Sequence, residues 1–187
     1  MSGKYSQLTN IRDWLLALAV CSNLCFAGQG SVNLTSSLTL VSACMVNSQS
    51  YINETGGIAL GDLDFGNQSS AFDVVTTTLT NNANNTIKIL CPTGVDSSIQ
   101  FGSGNHADSI PTGLQATYSR AMSNGAGAYI AYNLYRDSRN GILLSPTEIV
   151  TFSGGVEETF NIFAEAKNIS NLPLGQYTDT IIVTVSF

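Results

Sequence analysis

Apolar residues recur at every second position through most of the chain beyond Gly28, in short runs rich in Val, Ile, Thr, Tyr and Phe. Clusters of Gly, Asn, Ser and Pro separate these runs, and the helical spacing of apolar residues is rare. Successive side chains on a strand point to opposite sides, so a period of two is what a strand with one buried face requires. The expectation is an all-β domain. Strands are expected at Ser31 to Val41, Ile58 to Phe65, Phe72 to Leu79, Thr86 to Cys91, Ser98 to Phe101 and Ala116 to Ser119, then at Tyr129 to Arg136, Ile142 to Leu144, Ile149 to Phe152, Glu158 to Glu165 and Tyr177 to Phe187. Asn140-Gly141 carries the signal of a tight type I′ hairpin turn, and the polar tip Asn81-Asn82-Ala83-Asn84-Asn85 is expected to join two strands. Short strands at this spacing favour a sandwich or a barrel.

The first stretch follows different rules. Lys4 and Arg12 precede the uncharged run Trp14 to Val20, which ends in Cys21-Ser22-Asn23-Leu24-Cys25-Phe26-Ala27. A basic start, a short apolar run and a small-residue end read as a secretory signal peptide over 1-27, cut before Gly28. The run is shorter than the roughly 20 residues that a bilayer-spanning helix needs, so the mature chain is expected to have no integral membrane segment. A lipid anchor would fall on Cys21 or Cys25, but Val20 and Leu24 are larger than the residue normally found before a lipidated cysteine. Export leaves Cys44 and Cys91, and an even pair in an oxidising compartment is expected to form a disulfide. Free thiols or a soft-metal site are the alternative, although C-x-x-C spacing is absent.

Charge and histidine content restrict function. Seven basic against thirteen acidic residues leave a net charge of −6, without the basic field that attracts a phosphate backbone, so nucleic acid is not an expected partner. The single histidine, His106, excludes two-histidine metal sites, and any Ser-His-Asp triad would depend on it and on Asp108 nearby. Asp62 and Asp64 alternate as residues on one solvated strand face would, rather than as a metal or acid-base pair. No metal, cofactor or catalytic residue is expected, and an enzyme is the least favoured reading.

Two terminal segments are more informative. In Gly28 to Cys44, the side chains of Val32, Leu34, Ser36, Leu38 and Leu40 fall on one face of an extended chain, with Asn33, Thr35, Ser37 and Thr39 on the other. This is a half-buried strand at a free end, either the first strand of its own domain or one that completes something else. At the other end, Tyr177, Asp179, Ile181, Val183, Val185 and Phe187 share a face, and the strand carries no polar tail.

The segments Leu63-Asp64-Phe65-Gly66, Tyr118-Ser119-Arg120-Ala121-Met122, Tyr132-Asn133-Leu134-Tyr135-Arg136-Asp137 and Gly175-Gln176-Tyr177-Thr178-Asp179-Thr180, with the V-T-V-S-F ending, resemble the spore coat protein U domain family. That family includes the Csu-type pilins of archaic chaperone-usher pili. The resemblance implies an incomplete immunoglobulin-like β-sandwich, completed by a donor strand from a chaperone or a neighbouring subunit. It implies a donor-strand extension over 28-43 and a pilin domain over 44-187. Val32, Leu34, Leu38 and Leu40 would be the donor plugs, with Ser36 standing where the family usually has a larger apolar group. Ile181, Val183, Val185 and Phe187 would border the acceptor groove and contact the chaperone.

The partners it implies are a periplasmic chaperone, an outer-membrane usher and other pilus subunits. The product would be a fimbria on a Gram-negative cell, supporting adhesion and biofilm formation. A self-assembling secreted coat protein and a single-domain adhesin or binding module are the alternatives.

Overall fold

The computed structural model describes residues 36–40, 43–52, 60–81, 83–139, 141–169 and 172–187. Two units are distinguished, Met1–Thr39 and Leu40–Phe187. Of the first, Ser36 to Thr39 are described; they form no regular secondary structure and are exposed. The strand expected over Ser31 to Val41 is therefore not formed at Ser36 to Leu40. The expected signal peptide lies outside the described residues.

The second unit is all-β. One antiparallel sheet has the order β10 (Glu158–Phe160), β4 (Ile87–Leu90), β1 (Ala43–Val46), β2 (Gln49–Ile52). Another runs β3 (Val74–Thr78), β11 (Ile162–Lys167), β7 (Tyr129–Arg136), β6 (Arg120–Ser123), with β8 (Ile142–Leu143) also pairing β7. The third is β12 (Val183–Ser186), β5 (Ser97–Phe101), β9 (Ile149–Phe152). Alternation puts one face of each sheet into a common apolar core that includes Val46, Ile87, Ile99, Leu134, Phe152, Phe160 and Ile162.

Several expected strands match in place, among them Tyr129 to Arg136 and Ile149 to Phe152; others change for identifiable reasons. The run from Glu158 breaks at Asn161, where the chain passes from the first sheet to the second. Phe160 and Ile162 are both buried across the break, so the period of two continues and hides the change of sheet. The strand expected at Ala116 to Ser119 begins instead at Arg120, because the preceding loop packs Leu114 and Tyr118 against Ala131 of β7. That cover also explains why Ile130 through Leu134 are buried on both faces of β7.

Between Ile58 and Phe65, the described residues make one bridge, Asp62 to Thr80, with both backbone N–H···O bonds at 2.9 Å. Gly61 has φ +135°, and a Cβ there would collide with the Thr80 carbonyl, so this close approach needs glycine. The β1–β2 hairpin was not anticipated: its turn residues, Asn47 (φ 49°) and Ser48 (φ 68°), adopt the left-handed pair of a type I′ turn without a glycine. Of the tight turn expected at Asn140-Gly141, Asn140 lies outside the described residues; the β7–β8 pairing closes at Arg136 and Ile142, farther apart in sequence than a two-residue turn allows. The asparagine tip does join two strands, β3 and β4, and Asn81 ties it down by donating from Nδ2 to the Leu60 and Thr86 carbonyls, both at 2.8 Å.

Two features fix the core. Cys44 and Cys91 form a disulfide with Cα atoms 4.3 Å apart, and both residues are buried. Arg120 is 0% exposed. Its Nη2 donates to the Phe101 carbonyl at 2.8 Å and its Nε to the Gly102 carbonyl at 2.9 Å, while Nη1 reaches Ser119 Oγ at 3.2 Å. Burial lowers the guanidinium pKa to about 10, partly offset by Tyr132 and Asp179, so it remains charged at neutral pH. The side chain thus ties β6 to the end of β5, two strands in different sheets.

Replacing both cysteines by alanine should lower the unfolding free energy by about 4 kcal/mol for a closed loop with a sequence separation of 47. Urea titration of oxidised wild type against the variant measures it. Arg120→Leu removes the donors to the two carbonyls and should cost about 1–3 kcal/mol per unsatisfied group by the same titration; an unchanged midpoint would show that the bonds contribute nothing.

Candidate functional site

The sheets leave a large open groove of about 1110 Å³. One wall is the segment Leu60 to Ser70, held beside β3 by the Asp62–Thr80 bridge and by the Thr77 hydroxyl donating to the Asp64 carbonyl at 2.6 Å. The other is the C-terminal segment from Leu172 to Val183. Side chains of Ile87, Phe101, Ile130, Leu134 and Ile162 contribute an apolar floor.

The C-terminal wall has a period-two construction. Thr178 exchanges both backbone bonds with Ser123 at 2.9 Å, Ile182 accepts from the Gly102 N–H at 2.9 Å, and β12 then pairs with β5. In an antiparallel ladder, alternate residues direct both N–H and C=O to the same side. Thr178, Ile182, Thr184 and Ser186 therefore bond inward to β6 and β5, and Asp179, Ile181, Val183 and Val185 direct their backbone groups the other way. No described strand lies along that side, and β12 is an edge of its sheet. The side chains of these same odd positions are half-buried, whereas those of Thr178, Thr180, Ile182, Thr184 and Ser186 are exposed. One edge thus offers free backbone bonds and an apolar face together.

Asp179 is the exception on that face. Its Oδ2 accepts from the Tyr132 hydroxyl at 2.6 Å and its Oδ1 from the Asn105 N–H at 2.8 Å. Burial pushes the Tyr132 pKa well up, and the bond to Asp179 pushes it further, so the hydroxyl stays protonated and donates. Gly104 (φ +77°) permits this arrangement, because a Cβ there would meet the Asp179 carboxylate.

Of the expected groove residues, Ile181 and Val183 line the cavity, whereas Val185 and Phe187 pack against the core outside its lining. Of the expected donor residues, Val32 and Leu34 lie outside the described residues; Ser36 is exposed, and Leu38 and Leu40 are each 86% exposed. The opposite wall and the Asp179–Tyr132 pair went unrecognised, although Asp179 and Tyr132 sit in the segments that carried the family resemblance.

The other candidates have local roles. Asp64 Oδ1 accepts from the Gly66 N–H at 2.8 Å, and His106 packs its ring 6.1 Å from that of Tyr129, with Asp108 exposed in a single 3-10 turn, Ala107–Ser109. Among the described residues, no three His, Cys, Asp or Glu side chains gather as metal ligands, and no helix is long and apolar enough to cross a membrane.

Comparison with curated proteins gives no match. Among solved structures, the chaperone–tip adhesion subunit pre-assembly complex CsuC–CsuE, from archaic chaperone-usher Csu pili of Acinetobacter baumannii, is 18% identical with a TM-score of 0.47, over 80% of this chain and 40% of that one. A chaperone–tip adhesin complex of CFA/I fimbriae biogenesis is 14% identical with a TM-score of 0.38, over 71% of this chain and 39% of that one. The chain therefore spans about 40% of the length of these solved chains. The sequence model of the Spore Coat Protein U domain matches residues 30–184, nearly the whole chain, and the protein belongs to that family.

Proposed function

We propose that this chain is a structural subunit of a surface pilus that polymerises by donor-strand complementation. The observation that carries the reading is the open C-terminal edge, whose free backbone groups run from Asp179 to Val185 and which lines an apolar-floored groove with Asp179, Ile181 and Val183. Family membership and the alternating N-terminal segment support the same reading.

On this reading, residues 1-27 direct export and are removed, 28-43 form the donor extension, and 44-187 form the pilin domain. A periplasmic chaperone covers the open edge first, since an exposed apolar edge templates uncontrolled pairing. At an outer-membrane usher, the extension of the next subunit takes its place. Backbone bonding to the edge supplies affinity and sets register, and the alternate side chains enter the groove. Burying Val32, Leu34, Leu38 and Leu40 contributes roughly 6–12 kcal/mol per joint as an upper value. Such joints yield a fibre without covalent links between subunits, suited to adhesion and biofilm formation on a Gram-negative cell. No step requires a catalytic residue or a cofactor.

Leu38→Asp places a charge on the donor face and leaves the groove unchanged. Polymers, read as SDS-resistant ladders, should disappear, while co-purification with the chaperone persists. Loss of both, or of neither, would contradict the reading.

A further inference from the structure

The inward face of the C-terminal wall has one ionised position, and the donor face has one polar position. Along the groove, the wall is lined from Leu172 to Val183, and its inward side chains are apolar at Tyr177, Ile181 and Val183 on either side of Asp179. The donor reads Val32, Leu34, Ser36, Leu38, Leu40, with the hydroxyl at the centre. Both patterns advance by two residues, so donor and wall remain in phase across the joint.

We propose that Ser36 of the incoming subunit donates its hydroxyl hydrogen bond to the Asp179 carboxylate, and that this pair fixes the register of the joint. The proposal rests on the donor-strand reading. The carboxylate has capacity for the bond, since each oxygen has two lone pairs and each accepts one bond from within the subunit, from Tyr132 or from Asn105. Those two bonds also hold it in place. Covering the groove removes water from Asp179, and a dehydrated carboxylate facing a leucine is strongly unfavourable. A slip of two residues either way places Leu34 or Leu38 against Asp179 and moves the hydroxyl of Ser36 onto an apolar neighbour. Only one in-phase register pairs polar with polar. Asp62 and Asp64 on the opposite wall are exposed, where water can serve them without the donor.

The test uses the full exported chain and the dissociation rate of its polymers in SDS at fixed temperature. If the groove responded only to apolar area, Ser36→Leu would strengthen the joint; here it should hasten dissociation by about tenfold or more, because the carboxylate loses its partner. Ser36→Thr should stay near wild type, and Ser36→Ala should dissociate several-fold faster. Combining Ser36→Leu with Asp179→Ala should restore much of the lost stability, since apolar then meets apolar.

Cysteine cross-linking reads the register without a substitution at either member of the pair. Leu38→Cys should link to Tyr177→Cys in an antiparallel joint or to Ile181→Cys in a parallel one, and not to Val185→Cys. Slower dissociation of Ser36→Leu, wild-type behaviour of Ser36→Ala, or a link to position 185 would overturn the pairing while leaving donor-strand assembly intact. Absence of polymers from the wild type, under conditions where chaperone and usher are supplied, would overturn assembly and the pairing with it.

Discussion

Everything in this domain depends on one edge whose backbone bonds are half used. Thr178 bonds to β6; Ile182, Thr184 and Ser186 bond to β5 and the residue after it; and the odd positions from Asp179 to Val185 keep their N–H and C=O groups on the open side. An unpaired edge beside an apolar floor is the usual beginning of aggregation. The proposed function uses that same tendency, directed to one donor in one register.

Such an edge is useful only if it is held still. The C-terminal segment touches two sheets, through the Thr178–Ser123 bridge in one and the β12–β5 pairing in the other. Arg120 binds β6 to the end of β5 beneath it, and the Asp179 carboxylate is held by Tyr132 from β7 and by the Asn105 backbone. The Cys44–Cys91 disulfide braces the first sheet, which packs into the same core. Preorganisation of this kind reduces the ordering cost of strand addition, so more of the burial energy appears as affinity.

Much of this was legible in the sequence. Period-two alternation gave the fold class and the positions of β7 and β9, and the even pair of cysteines beyond the expected signal peptide gave the disulfide. Alternation fails where its premise fails. It cannot report a change of sheet, so the break at Asn161 was invisible while Phe160 and Ile162 kept the same phase. It cannot separate a strand from a loop packed over a neighbouring strand, so the strand expected at Ala116 to Ser119 begins only at Arg120, after Leu114 and Tyr118 have packed against Ala131 of β7. The type I′ turn at Asn47-Ser48 lacks the glycine that usually betrays it. Within the groove, Ile181 and Val183 were expected from the family resemblance, the alternation giving only the face they share. The Leu60 to Ser70 wall was not anticipated: alternation reads Ile58 to Phe65 as an ordinary strand, whereas the Asp62–Thr80 bridge and side-chain bonds such as that from Thr77 to the Asp64 carbonyl hold the segment beside β3.

Residue-resolved amide hydrogen exchange, comparing the polymer with the non-polymerising Leu38→Asp chain, tests the central claim most directly. The amides of Asp179, Ile181, Val183 and Val185 should exchange freely in the monomer and become protected in the polymer, while those of Thr178, Thr184 and Ser186 are protected in both. Protection of the odd positions in the monomer, or their continued exchange in the polymer, would show that this edge is not where subunits join.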